Sequence, residues 1–288
     1  MEINGYELLT PLTCDKSGFS KWGFAQKNGR QYFIKEFLSP VYPIEASLLS
    51  REQVESKSRI CRRFEMEKSR LYSAINKCES GNIVPIRGFF RVGSHYYMVT
   101  DRVFAKPISA KDICNMPELQ RLIISKIIVY SVGLLHQAGI VHGDIKPDNI
   151  LFALSQSGAI TAKLIDFDTS FFVDNLPKRD SDFHGDMIYL APESYLYMAE
   201  ETDEITVKAD VFAIGILLHL LWSGEMPWFD KNSYDYLFEA VLSGGKIGIL
   251  RTIPKTVAVI INQMLRQNPK DRPSLSAVFM ALSKINPE

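Results

Sequence analysis

His142-Gly143-Asp144-Ile145-Lys146-Pro147-Asp148-Asn149 is the stretch on which the reading of this chain turns, together with Asp166-Phe167-Asp168 after an intervening loop. Each stands just outside a short apolar run, Ile140-Val141 in one case and Leu164-Ile165 in the other. A lone His-Gly-Asp is weak evidence, because an Asp after a strand commonly just caps a turn. The whole string with its distant acidic partner is far more specific. Two acids and an amide held at strand ends suit chemistry that needs a metal against phosphates and a carboxylate beside an attacking hydroxyl.

Working outward, the first hundred residues carry short β-rich runs separated by turn residues: 6–12, 21–26, 31–37, 83–91 and 95–103. One helical pattern interrupts them over Ser58 to Asn76, with Phe64, Glu67, Leu71 and Ile75 at helical spacing. The stretch 41–58, with its two prolines and mixed polarity, reads as a variable insertion. Beyond Val103 long apolar helices take over. Glu118 to Gln137 places Leu119, Ile123, Ile127, Tyr130 and Leu134 on one face and ends at Gly139, and further helices are expected near 207–223, 233–242, 255–266 and 274–284. The expectation is an α+β fold of two lobes, a β-rich N-lobe over 1–103 and a mainly helical C-lobe over 104–288, with a cleft near 101–105.

The string around Asp144 resembles the catalytic loop H-R-D-x-K-x-x-N of protein kinases, and Asp166-Phe167-Asp168 resembles their metal-binding D-F-G. The resemblance runs over essentially the whole chain, from Tyr6 to Ile285, and is closest to the eukaryotic-like serine/threonine class, to which Lys146 points. It implies a two-lobed kinase fold and transfer of the ATP γ-phosphate to a protein hydroxyl, with ATP and Mg²⁺ bound. By resemblance Asp144 is the base that accepts or orients the hydroxyl, Lys146 neutralises the γ-phosphate, and Asn149 and Asp166 hold the metal ions. Tyr32-Phe33-Ile34-Lys35 resembles the V-A-I-K strand, whose lysine grips the α and β phosphates and pairs with a helical glutamate, here Glu67 in preference to Glu65. Met98-Val99-Thr100-Asp101-Arg102-Val103 resembles the strand entering the hinge, with Thr100 as gatekeeper and the backbone of Asp101 and Val103 against adenine. Leu151 would form the floor of that pocket, Trp22 and Phe33 its roof, and Gly18 the phosphate lid. Ala191-Pro192-Glu193, Asp210 with Gly215, and Arg272 as the buried partner of Glu193 resemble scaffold residues of the family.

The chain departs from the pattern at five places. The segment Leu12 to Ser20 holds only Gly18 where the family has G-x-G-x-x-G, so fewer backbone N–H groups can approach phosphate. Phe33 replaces a small residue. Asp168 stands for glycine, and Asp186 for the threonine that touches the catalytic Asp and Lys; its carboxylate would either pair with Lys146 or repel Asp144. Gly143 replaces the arginine that receives an activation-loop phosphate, so activity is expected not to depend on such phosphorylation. His-Gly-Asp is also the form found in small-molecule kinases resembling the aminoglycoside and choline enzymes, which lack Lys146, Ala-Pro-Glu, Asp210 and Arg272. That reading and a weakly active pseudokinase scaffold are the alternatives. Against the scaffold, Lys35, Glu67, Asp144, Asn149 and Asp166 are all present.

Bulk properties set the remaining expectations. Lys plus Arg and Asp plus Glu each number 33, so no basic field exists to draw nucleic acid or an anionic membrane. Cys14, Cys61, Cys78 and Cys114 are scattered, with no C-x-x-C pair and no clustered histidine, which fits reduced thiols in a cytoplasmic protein. The N-terminus lacks a basic region followed by an apolar one, and the longest apolar run, Val211 to Trp222, is well short of the ~20 residues that cross a bilayer. The expected partner is a protein substrate, with the chain itself a monomer and no further domain beyond the last helix.

Overall fold

The computed structural model describes residues 1–15, 20–44, 49–78, 80–104, 106–154, 160–178 and 185–287. It resolves into two compact units, Met1–Glu79 with Val84–Phe104, and Ser80–Ile83 with Ala105–Glu288.

In the first unit β1 (Glu2–Ile3), β2 (Tyr6–Leu8), β3 (Ser20–Lys27), β4 (Arg30–Phe37), β5 (Ile86–Val92) and β6 (His95–Asp101) form one antiparallel sheet, ordered β1-β2-β3-β4-β6-β5. Two of its hairpins turn on Asn-Gly. Asn4-Gly5 has φ of 51° and 80°, and Asn28-Gly29 has 51° and 75°. That is the two-residue turn whose twist matches right-handed strands. The first of these turns creates β1, a strand not anticipated upstream of Tyr6.

Ile3, Tyr6, Ala25, Ile34, Tyr97 and Val99 make one apolar cluster of this sheet. The alternate residues face elsewhere. Phe37, Phe89 and Tyr96 meet Phe64 and Tyr72 of the long helix α1 (Arg51–Lys77), with ring centroids 5.2–6.1 Å apart. α1 starts earlier than the expected Ser58. Ser50 and Gln53 form a reciprocal capping box, Gln53 N–H donating to Ser50 Oγ at 3.3 Å and Ser50 N–H to Gln53 Oε1 at 2.9 Å. Half of the supposed 41–58 insertion is therefore the capped first turns of the helix, while residues 45–48 lie outside the described residues.

The second unit comprises β7 (Lys106–Pro107), α2 (Ala110–Cys114), α3 (Glu118–Gln137), β8 (Ile140–Val141), β9 (Ile150–Leu154), β10 (Ile160–Leu164), β11 (Phe171–Phe172), α4 (Pro192–Met198), α5 (Lys208–Ser223), α6 (Leu237–Leu242), α7 (Lys255–Met264) and α8 (Leu275–Ser283). Its strands make two small sheets, β10-β9-β7 and β11-β8. Ser80–Ile83 belongs here because Leu164 N–H donates to Asn82 O at 2.7 Å and Ile83 bridges Leu164.

α5 is apolar on every side, and Val211, Phe212, Ile214, Ile216, Leu217, Leu218 and Leu221 have no exposure at all. A helix hydrophobic all round belongs inside a core. α3 is nearly as apolar, so periodicity misidentified its buried face. Leu122, Ile128, Val129, Val132 and Leu135 are buried, whereas Leu119 and Tyr130 of the expected face are about half exposed. Among the described residues α3 is the one helix long and apolar enough, by length and composition, to cross a bilayer. In this structure it packs against α8 and β10.

Arg272 ties the unit together. It is fully buried and all its guanidinium N–H groups have work: Nη1 and Nη2 donate to the two Glu193 oxygens at 2.6 and 2.8 Å, and the other bonds reach the carbonyls of Arg266, Gln267 and Lys208. Phe212 lies under the guanidinium carbon at 4.9 Å. Removing one member leaves a buried charge without compensation. Arg272→Met is expected to lower stability by about 3–5 kcal/mol, with part of that recovered by adding Glu193→Gln. Urea titration followed by tryptophan fluorescence measures it; a loss near the ~0–1 kcal/mol of an exposed pair would refute the assignment.

Candidate active site

The site of the second unit is built upward from Asp210 in the first turn of α5. Its carboxylate is buried and receives the N–H of His142 at Oδ2 (2.8 Å) and of Gly143 at Oδ1 (3.0 Å), with His136 Nε2 2.9 Å from Oδ2. Burial alone would raise this carboxyl. The hydrogen bond from His136, the electrostatic pull of the two neighbouring imidazoles and the Gly143 N–H outweigh it and hold the group below the usual carboxylate range.

From that anchor the loop turns. Gly143 has φ of 83°, and a Cβ built on it would lie 2.8 Å from the Thr169 carbonyl oxygen. Both facts require glycine. Position 143 therefore has a packing reason to lack the arginine of the family pattern.

Asp144 follows, its carboxylate met by three donors. Lys146 Nζ stands 2.9 Å from Oδ2, Asn149 Nδ2 donates to the same oxygen at 2.7 Å and to the Asp144 carbonyl at 2.8 Å, and the Asp186 N–H donates to Oδ1 at 3.3 Å. Asn149 reaches back because a single 3₁₀ turn, Pro147–Asn149, reverses the chain after Lys146. The question left open by the sequence resolves toward pairing: Asp186 Oδ2 lies 3.7 Å from Lys146 Nζ, and its Oδ1 accepts from Ile188 N–H at 3.0 Å. Burial works against the ammonium of Lys146. The bond to Asp144, with the charges of Asp144, Asp186 and Asp148, overrides it and raises the lysine above its ordinary value.

Asp166 is joined to this loop through its neighbours. Ile165 N–H donates to the Asn149 carbonyl at 3.1 Å, the Phe167 ring meets His142 at 5.3 Å, and the hydroxyls of Thr169 and Ser170 donate to the His142 carbonyl at 3.2 and 2.9 Å. Asp166 itself has φ of 60°, a left-handed conformation uncommon for a non-glycine residue, though aspartate tolerates it better than most. Asp168 N–H donates to its Oδ1 at 3.4 Å.

The donor set fits magnesium. The amide nitrogen of Asn149 is spent on Asp144, which turns the amide so that its oxygen remains as an acceptor, and Asp166 offers a carboxylate; both are hard oxygen ligands. Among the described residues no three His, Cys, Asp or Glu side chains gather as a metal nest. Magnesium in phosphate chemistry needs only one or two carboxylates, with substrate phosphates and water supplying the rest.

The other candidates lie in the first unit, except Leu151, which is on β9 opposite Lys163. Lys35 is 5% exposed on β4, in register with Trp22 and Met98. Glu67 faces inward more than exposed Glu65, but Arg63, one turn back on α1, donates to it at 2.7 Å. The carboxylate expected to pair with Lys35 is thus engaged by a same-helix arginine, an interaction that i,i+4 spacing favours. Thr100 sits on β6 between Phe33 and Ile86, Asp101 is held bidentately by Arg87 at 2.5–3.0 Å, and Val103 is half-buried just past the strand. Trp22 stacks on Phe33 at 5.8 Å, and Phe24 meets both rings edge-on. Arg102 lies 3.8 Å over Phe24 and 4.9 Å from the Phe104 ring. Gly18 and Ser181 lie outside the described residues.

Sequence reading missed His136 and the roles of Thr169, Ser170 and Arg102. The two hydroxyls directly follow Asp166-Phe167-Asp168, which was the available signal; nothing in the pattern of α3 marked His136.

A family model described as the protein kinase domain matches residues 51–282. The chain is 27% identical over 228 residues to the calcium/calmodulin-dependent protein kinase type II alpha chain of Drosophila melanogaster, covering 77% of this chain and 39% of that protein. It is 30% identical over 161 residues to calcium-dependent protein kinase 4 of Plasmodium falciparum, covering 54% and 29%. Against the maternal embryonic leucine zipper kinase of Xenopus tropicalis it is 30% identical over 173 residues, covering 58% and 24%. The chain spans less than half the length of each of these relatives. The family match takes in the Asp144 loop, the Asp166 segment, Glu193, Asp210 and Arg272 together, and the chain belongs to the protein kinase domain family.

Proposed function

We propose that the chain is an ATP-dependent serine/threonine protein kinase, moving the γ-phosphate of ATP onto a hydroxyl of a protein substrate. The observation that carries this is the set of donors that orients Asp144, with Lys146 2.9 Å away and Asn149 2.7 Å away. Asp144 accepts or orients the proton of the acceptor hydroxyl. Lys146, kept charged by Asp144 and Asp186, offsets the charge that develops on the phosphoryl oxygens. Asp166 and the Asn149 oxygen would hold magnesium, which neutralises phosphate charge when bound. Lys35 would grip the α and β phosphates, and Trp22 and Phe33 would cover the base. Gly143, the one residue that favoured a small-molecule acceptor, is accounted for by its contact with Thr169 and adds no weight to that reading.

Incubating the protein with labelled ATP, magnesium and a lysate should place label in protein and not in small molecules. Asp144→Asn should reduce that transfer by roughly 10²- to 10⁴-fold, the usual loss for a general base, with nucleotide affinity nearly unchanged. Full activity in this variant would overturn the assignment of the base.

We further propose that activity needs no phosphate on the activation segment. Thr169 and Ser170 are committed to the His142 carbonyl, and glycine, not arginine, stands directly before Asp144. Phosphatase treatment of the purified protein, followed by removal of the phosphatase, should leave the initial rate within about twofold, and Ser181→Ala should match the parent chain. A large drop in both would mean that another cation has taken the arginine's place.

A further inference from the structure

We propose that Thr169 and Ser170 are positioning residues that latch the metal-binding segment to the catalytic loop, permanently and without phosphate. The inference rests on the phosphotransfer reading above and says how that site is kept in order.

The His142-Gly143 peptide is gripped from both sides. Its N–H, that of Gly143, donates to Asp210 at 3.0 Å, and the preceding N–H, that of His142, donates to the same carboxylate at 2.8 Å. Its carbonyl, that of His142, accepts both the Thr169 hydroxyl at 3.2 Å and the Ser170 hydroxyl at 2.9 Å. A carbonyl oxygen has two lone pairs, and here two adjacent side chains use them. The same few residues make three more contacts to one another. Ser170 N–H donates to the Phe167 carbonyl at 3.2 Å, Phe171 pairs with Val141 as β11 meets β8, and the Thr169 carbonyl closes against the bare Cα of Gly143.

Asp144 lies one residue beyond this peptide, and Asp166 three residues before Thr169. Fixing the peptide to Thr169 and Ser170 therefore fixes the base relative to the metal-binding carboxylate. Ordering by a phosphate and an arginine is charge-assisted and present only when the modification is. Ordering by neutral hydroxyls is present in every molecule and is little affected by salt. The close contact at Gly143 adds a steric reason: an arginine there would push Thr169 away from the carbonyl it donates to.

Thr169→Val keeps the shape and removes the hydroxyl, Ser170→Ala removes the other, and Thr169→Ser restores the first. The double variant is expected to lose roughly 10- to 100-fold in kcat and in apparent magnesium affinity, the range for groups that orient metal-binding residues, with KM for the protein substrate little changed. Without nucleotide, amides 166–172 should exchange hydrogen faster than in the parent chain, and Thr169→Ser should return both readouts toward the parent values. Parent-like exchange together with a parent-like magnesium dependence in the double variant would overturn the latch. If the parent chain proves to transfer no phosphate, the kinase reading fails, and the exchange measurement still decides the latch. If the double variant does not fold, Thr169→Val at its half-buried position gives the same two readouts.

Discussion

One buried carboxylate organises the chemistry of the second unit. Asp210 is 2% exposed, a position in which an ion is tolerated only when donors surround it. Two of its donors are backbone N–H groups of the catalytic loop and a third is His136. Since α5 is walled in by core on every side, a loop fastened to its first turn inherits the rigidity of the core. Asp144, Lys146 and Asn149 follow within a few residues, and the segment of Asp166 is fastened in turn to the other side of the same peptide. The ordering passes from a helix that touches no substrate to the side chains that would.

The strings that carry chemistry were legible because they are short, polar and stand at strand ends, where no packing requirement disguises them. The sheet was legible from its alternation and turns, and α1 was found by its period. Its true start at the Ser50–Gln53 capping box is masked in the sequence by the prolines upstream, which signal a loop. The buried face of α3 was not legible at all. When a helix is apolar all round, the sequence contains no contrast from which a face can be chosen, and only its neighbours decide. β1, α2 and α4 were missed for the opposite reason, being elements of 2, 5 and 7 residues that are too short to show a period. Glu67 shows a third limit. Spacing placed it on the inward side, but the search for a partner on another element overlooked Arg63, one turn back on the same helix, which donates to its carboxylate.

The departures from the family pattern are coupled. Gly143 admits the Thr169 carbonyl, and the hydroxyl of Thr169 then reaches His142; a side chain at 143 would forbid both. Asp186, in the place of a neutral threonine, still lends its backbone N–H to Asp144 and adds a second counter-ion for Lys146. The residue can change its side-chain chemistry because the bond to Asp144 comes from the main chain, which every residue but proline supplies.

Arg272 has a consequence for how the protein is made. Its partners Glu193 and Lys208 lie 79 and 64 residues earlier in the chain, and it stands near the end of the sequence. A nascent chain emerges from its N-terminus, and domains fold as units as they are completed. The first unit can close while the ribosome is still translating the second. The second cannot bury Glu193 with its charge matched until Arg272 has emerged, so α4, which carries Glu193, has to keep that carboxylate in water until then. The apolar α3 waits longer still, because α8, against which it packs, follows Arg272 in the chain.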